Sequence, residues 1–269
     1  MIEERPCEGR APLTALVVSH NESRLVADRL RELSFCDDLL VVDLASTDDT
    51  AAVAAAHGAR VLKRPSARFV ELVHPEVVDE ARHDLVILSD PDEEIPPALA
   101  ERLAGLPSTL SDDVALVFAP RVYFFRGRPL RGTIWGGHGG KGLVARRSGT
   151  EFVPIVHRGL QMRAGYRRDV IEWDGENAIR HLWASGYREF LRKHLRYIRV
   201  EGPARALSGE KMGYKALLLT PYRSFWECFV KREGYRDGFH GFALSFLYAL
   251  YRTASDLALL RELQRRKRR

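Results

Sequence analysis

The chain is predicted to be α/β, with a mostly parallel sheet covered by helices on both faces and a helical region towards its C-terminal end. Two observations carry that expectation. Short β-branched runs alternate with amphipathic stretches over the first 120 residues. Strands linked in this way pair in parallel, because each crossover helix carries the chain back to the end of the sheet at which the previous strand began. From Ser185 onward the pattern turns helical.

The elements follow in order. LTALVVS (13–19) is a buried strand, and ESRLVADRLREL (22–33) an amphipathic helix whose faces are set by Leu25, Arg29, Leu30 and Leu33. LLVVDLAS (39–46) is a second buried strand. TDDTAAVAAAHG (47–58) is a helix opened by Ser46 or Thr47, with acids in its first turn and Gly58 at its end. ARVLKR (59–64) is a short third strand, a helix is expected over about 68–82, and DLVILS (84–89) is a fourth strand. PPALAERLAGL (96–106) starts a helix with prolines where a missing N–H costs nothing. DVALVFAPRVYFF (113–125) is another strand, and the Gly- and Arg-rich 126–147 a hairpin or loop leading into a further one. Helices are expected at 185–202, 221–234 and 239–264, and the change of pattern places a boundary near 180: a catalytic domain over 1–180 and a helical region over 181–269.

Hydrophobic residues are 45% and charged residues 29% of the 269, the profile of a folded chain rather than a disordered one. MIEERPCEGR at the start lacks the apolar core of a secretory signal. GFALSFLYALY (241–251) is shorter than the roughly 20 residues a spanning helix needs. Cys7, Cys36 and Cys228 have no zinc-ligand spacing and are expected to be reduced thiols. Net charge +6 conceals an asymmetry: residues 1–120 hold 11 Lys and Arg against 23 Asp and Glu, whereas 121–269 hold 31 against 13. An acidic front suits a cation; a basic back suits phosphates or an anionic membrane surface. Nucleic acid is not expected, since no groove-reading element accompanies the charge.

In open α/β sheets ligands bind beyond the carboxyl ends of the strands. That rule places Ser19, Asp43 and the acids Asp90, Asp92, Glu93 and Glu94 on one rim, each just past an apolar strand. Two carboxylates spaced as Asp90-Pro91-Asp92 can share a divalent cation, or divide their work between a metal and a sugar hydroxyl. Mg²⁺ characteristically takes one or two carboxylates and completes its shell with phosphate oxygens and water. An Asp-x-Asp pair alone is also compatible with a solvated acidic turn.

The three strand-end segments VVSHNES, VVDLASTDDT and VILSDPDEE resemble, in order and spacing, the signature of family 2 glycosyltransferases of the GT-A fold, in particular the small bacterial branch that builds lipopolysaccharide cores and cell-surface glycans. That family reads Asn-Glu, then Asp-x-Gly-Ser-x-Asp-x-Thr, then Asp-Ala-Asp-Glu. This chain supplies Asn21-Glu22, then Asp43, Ser46, Asp48 and Thr50, then Asp90, Asp92 and Glu93, with Ala45 and Pro91 as departures. The resemblance implies a Rossmann-like GT-A domain in which Ser19 and Glu22 lie beside a nucleotide and Asp43 accepts a hydrogen bond from its base. Asp90 would face the ribose or sugar, and Asp92 would ligate Mg²⁺ or Mn²⁺ against the diphosphate. Ser46 and Asp48 are expected to cap the next helix. Lys141 stands where the family has an arginine, and PIVHRG (154–159) resembles its Val-His-Glu stretch with Arg158 in place of the acid. His181, Lys193, Arg196 and Tyr197, and later Asp237, Gly238, Gly241 and Phe242, also resemble family segments.

The implied reaction is an inverting transfer from a nucleotide-diphosphate sugar, UDP-sugar favoured, to a cell-surface glycan or lipid-linked acceptor. It needs a base for the acceptor's proton. Because Arg158 replaces the family acid, the candidates are Glu172 and Asp174 in VIEWDGEN, with His157 as an outsider. The alternatives are a sugar nucleotidyltransferase and a catalytically silent nucleotide-sugar-binding protein at the membrane. The apolar stripe Phe239, Phe242, Phe246, Leu250, Leu257, Leu260 and Leu263, flanked by Lys231, Arg232, Arg236, Arg252 and RRKRR, suits a basic amphipathic helix on a membrane surface. The expected location is cytoplasmic, peripheral on the inner face of the cell membrane.

Overall fold

The apolar runs at 13–19, 39–46 and 84–89 become the central parallel strands of the molecule. The computed structural model describes residues 11–67, 70–153, 159–207 and 209–267. It divides into two units: residues 1–121 with 140–181, and residues 122–139 with 182–269.

In the first unit, β1 (Ala11–Ser19) leads through α1 (Ser23–Glu32) to β2 (Cys36–Leu44), and α2 (Thr50–Ala56) leads to β3 (Arg60–Arg64). The helix expected over 68–82 is broken into single turns, with α3 (His74–Val77) between two 3₁₀ turns at 70–72 and 78–80. Pro75 is the reason: it can begin a helix but cannot donate to the turn before it. β4 (Leu85–Ser89) is followed by the two-residue β5 (Glu93–Glu94), α4 (Pro97–Thr109) and the long β6 (Val114–Phe125). Parallel pairing joins β3 to β2, β2 to β1 and β1 to β4. After β7 (Arg128–Pro129), the Gly-rich segment forms β8 (Gly139–Arg146), which runs antiparallel to β4 with Ile87 opposite Val144. β9 (Thr150–Phe152) and β10 (Leu160–Met162) make a separate pair, and β11 (Arg167–Val170) runs parallel to β6. β12 (Ile179–Ala184) sets Arg180 and His181 antiparallel to Glu94 and Glu93 of β5. The sheet is therefore mixed, parallel at its centre and antiparallel where β8 meets β4 and β12 meets β5, with β11 again parallel to β6.

Both faces are covered, so successive residues of β1 are alike in burial. Leu13, Ala15 and Val17 pack with Val26 and Leu30 of α1 and with Leu99 and Leu103 of α4. Leu16 and Val18 face Val73 and Val77 on the other side.

The second unit is helical: α5 (Tyr187–Leu207), α6 (Tyr214–Trp226) with a π-turn at 227–231, and α7 (Gly238–Lys267). Trp183, Phe190 and Leu244 form its core with Phe125 and Leu130. Arg205 ties α5 to α7 through Asp256 at 2.7 Å and Ser255 at 2.8 Å, and Thr220 of α6 donates to the same Asp256. Asp237 accepts the amides of Arg131 and Gly132 at 2.8 Å each. A side chain at Gly241 would strike the carbonyl oxygen of Gly234 at 1.7 Å, which accounts for glycine there. Cys36 and Cys228 are both buried. No helix among the described residues is long and apolar enough to cross a membrane.

Candidate active site at the strand ends

Parallel pairing in register brings the last residues of β1 and β2 together, with Ser19 beside Asp43. The loops beyond them are laced to one another. Asn21, in the left-handed region at φ 57°, accepts from the amide of Thr47 at 2.7 Å and from that of Asp48 at 3.3 Å. Ser46 Oγ accepts the Asn21 amide at 2.9 Å, and Thr50 Oγ1 the Glu22 amide at 2.9 Å. Asp48 accepts the Thr50 amide at 3.0 Å and the Ser23 amide at 3.3 Å, so it serves both α1 and α2. The polar residues of the second motif thus hold the loops. Ser19 and Asp43 are almost wholly covered, Asp43 accepting from the Ser46 amide at 3.3 Å. Glu22 stands nearer the surface, accepting from Ser19 Oγ at 3.2 Å.

Beyond β4 the chain turns, the Glu93 amide donating to the Asp90 carbonyl at 3.0 Å and Arg29 reaching the Pro91 carbonyl at 3.4 Å. The four acids of this turn separate by environment. Glu93 has no exposed side-chain surface, whereas Asp92 retains 22% and Asp90 36%. Cations from three strands face them. Lys141 of β8 is ion-paired to Glu93 and lies 3.3 Å from Asp90. Arg121 of β6 lies 3.5 Å from Glu93. His181 of β12 places Nε2 3.3 Å from Asp92 and Nδ1 3.6 Å from Glu93, and Arg180 pairs with Glu94 at 3.3 Å. The cluster that the sequence shows as unbalanced negative charge is thus partly neutralised from within the protein.

Charge and burial set the proton affinities. Burial raises the Glu22 carboxyl, and the negative charges of Asp92 and Asp90 raise it further against the bonds from His20 and Ser19. Burial works against the Lys141 ammonium, but Asp90 and Glu93 outweigh it and hold its pKa above the ordinary lysine value. The His74 imidazole is pushed down to about 4, chiefly by burial, with Lys141 adding to the effect and Asp90 and Glu71 opposing it.

The donor set fits a divalent cation. Asp92 and Asp90 carry hard oxygen donors that could take such an ion, both partly open to solvent at the strand ends, and their negative charges act on Glu22. Among the described residues no three His, Cys, Asp or Glu side chains are gathered as a ready-made cage.

Glu172 and Asp174 lie on the loop between β11 and β12. Asp174 is committed there: it accepts the amides of Glu176 and Asn177 at 2.9 and 3.0 Å and pairs with Arg102 of α4 at 2.8 Å. These contacts, the Glu176 amide first, hold its carboxyl below the usual range, which makes it a weak proton acceptor. Glu172 has an exposed side chain and gives only its carbonyl to the loop, accepting from Asn177 at 2.8 Å. His157 and Arg158 lie outside the described residues.

The sequence named Glu93, Lys141 and His181 as motif members without a part to play. Their convergence comes from antiparallel pairing of β5 with β12 and of β4 with β8, which leaves no periodic signal in a stretch as short as Asp-Glu-Glu.

Comparison with known proteins gives the family of the chain. The family model described as "Glycosyl transferase family 2" matches residues 14–173, more than half the chain. An uncharacterized glycosyltransferase of Rickettsia felis is 22% identical over 258 residues, 93% of this chain and 89% of that one. Among solved structures, glucosyl-3-phosphoglycerate synthase from Mycobacterium tuberculosis, in complex with Mn²⁺, UDP and glucosyl-3-phosphoglycerate, is 25% identical with a TM-score of 0.34, over 44% of this chain and 45% of that one. Mannosyl-3-phosphoglycerate synthase from Rubrobacter xylanophilus is 28% identical with a TM-score of 0.36, over 42% and 40%. The match thus spans less than half the length of either solved structure.

Proposed function

Since this chain belongs to glycosyl transferase family 2 and has its GT-A α/β fold, we propose that it transfers a sugar, with inversion, from a nucleotide-diphosphate sugar to a hydroxyl of a cell-surface glycan or lipid-linked acceptor. The observation that carries the reading is the parallel pairing of β1 with β2 and with β4, which sets Asp43 beside Ser19 and brings the turn of Asp90 and Asp92 to the same end of the sheet, where their charges act on Glu22. Three strand ends therefore contribute to one acidic rim.

In this reading Ser19 and Asp43 fix the rim on which the nucleoside rests, with Asp43 offering an acceptor to its base. Glu22 borders the nucleotide, and Asp90 accepts from a ribose or sugar hydroxyl. Asp92 would hold Mg²⁺ or Mn²⁺, which when bound supplies Lewis-acid neutralisation of a diphosphate leaving group. His181 orients Asp92 through its 3.3 Å contact. Lys141 and Arg121 pair with Glu93 beneath the turn. The acceptor hydroxyl attacks the anomeric carbon from the face opposite the leaving diphosphate and passes its proton to a carboxylate. Of the two candidates, Glu172 keeps its side chain available and Asp174 does not.

The test is product analysis with a panel of nucleotide sugars, favouring UDP-sugars, in the presence of Mn²⁺ and glycan acceptors. Release of nucleoside diphosphate with a new glycosidic bond of inverted configuration is expected. Release of pyrophosphate from a nucleoside triphosphate and sugar phosphate would identify a nucleotidyltransferase instead, and donor binding without turnover across the panel would identify a silent binding protein.

A further inference from the structure

We propose that α6 and the first half of α7 form a face that docks on an anionic lipid bilayer. The apolar stripe of α7 divides along its length. Leu259 and Leu260, on its later turns, are buried, whereas Phe239, Phe242, Phe246 and Leu250 are 49 to 75% exposed. α6 presents a matching row, Leu218, Tyr222 and Trp226, spaced four apart and 57 to 76% exposed. The two rows meet: an apolar groove of about 580 Å³ is lined by Tyr222 and Trp226 on one side and Phe246 and Leu250 on the other. Seven large apolar side chains on two adjoining helices make a contiguous patch of the kind that marks an interaction surface.

Charge decides what covers it. Arg223 lines the groove itself, and Lys215, Lys231 and Arg232 are exposed along the same segments. The unit that carries the face holds 22 Lys and Arg against 8 Asp and Glu, a net of +14. A second copy would bring the same positive field to the contact and be repelled, whereas anionic headgroups are attracted. Trp and Tyr beside Arg and Lys suit the boundary between headgroups and acyl chains, where an apolar ring and a polar edge are both accommodated. No described helix can span, so the contact lies in the plane of the surface. This inference stands independently of the sugar-transfer reading, and its test needs no turnover.

The test is co-sedimentation of the full chain with vesicles of phosphatidylcholine alone or mixed with phosphatidylglycerol, alongside light scattering without lipid. The wild type is expected to bind the phosphatidylglycerol vesicles at least about tenfold more tightly than phosphatidylcholine alone, with added salt weakening the contact. The double variant Trp226→Glu, Phe246→Glu, with an unchanged melting temperature because both positions are exposed, is expected to lose about tenfold or more on the anionic vesicles. Failure of the wild type to bind, or equal binding by the variant, overturns the proposal. So does a lipid-free dimer that the double variant converts to monomer, which would assign the face to a second copy.

Discussion

The ammonium of Lys141 is paired with the carboxylate of Glu93, a group with no exposed side-chain surface, and lies 3.3 Å from Asp90. The pair joins β8 to the turn after β4, so a cation from the antiparallel part of the sheet fixes the acidic rim. Removing one partner leaves the other charge buried. Lys141→Met is expected to destabilise the protein by about 3 kcal/mol in urea unfolding. Glu93→Gln in the same chain should recover at least about 1 kcal/mol of that loss, the coupling expected of groups in contact. Additive losses would show that the two side chains do not act as a pair.

Ala45 sits at φ 53°, in the left-handed region, where the family motif has glycine. A β-carbon there costs about 1–2 kcal/mol, offset in part by the extra freedom glycine has when unfolded. Ala45→Gly is therefore expected to stabilise the chain by about 1 kcal/mol, seen as a higher urea midpoint at unchanged slope. A lower midpoint would mean that the loop does not hold this conformation in solution.

His74 has a folded pKa of about 4 against an ordinary 6.5. Between these values the unfolded chain binds the proton and the folded chain does not, so stability falls as pH drops from about 6.5 to about 4. The full shift is worth at most about 3.4 kcal/mol. His74→Gln is expected to flatten the denaturation midpoint across that window. A wild-type and variant pair with parallel pH profiles would remove His74 as the cause.

Glu172 and Asp174 should differ in the kind of damage their loss causes. Glu172→Gln is expected to lower kcat by about 10²-fold or more with little change in melting temperature, as removal of a general base does. Asp174→Asn should lower the melting temperature, because it weakens the contacts to Arg102 and two amides, with a smaller effect on kcat. The opposite pattern would exchange the two roles.

The strands that carry the rim were legible because each is a dense β-branched run ending in a polar residue, and the rule about carboxyl ends then needs no further information. Of the two caps expected for the next helix, Asp48 accepts the Thr50 amide at its start, whereas Ser46 Oγ takes the Asn21 amide and the helix begins only at Thr50; Asn21, read only as part of a motif, binds across to the second loop. Pairing between distant segments was not legible. Nothing in Glu93-Glu94 announces a strand, and nothing in His181 announces that it faces Asp92; both follow from β5 lying against β12. The break in the 68–82 helix was signalled by Pro75 and overlooked because the surrounding apolar spacing is helical. In α7 the stripe was visible but its division into exposed and buried halves was not, since periodicity shows a face and not what covers it.

The central claim is that Asp92 takes part in holding a cation that in turn holds a diphosphate, and it is tested most directly by donor binding with and without Mn²⁺. For wild type, a UDP-sugar with Mn²⁺ at about a hundredfold over its Kd should add roughly 2.7 kcal/mol of stability, read as a rise in melting temperature. Asp92→Asn should keep its fold and lose the Mn²⁺-dependent part of that rise. An equal Mn²⁺-dependent rise in Asp92→Asn, or none in the wild type with any nucleotide sugar, would contradict the account.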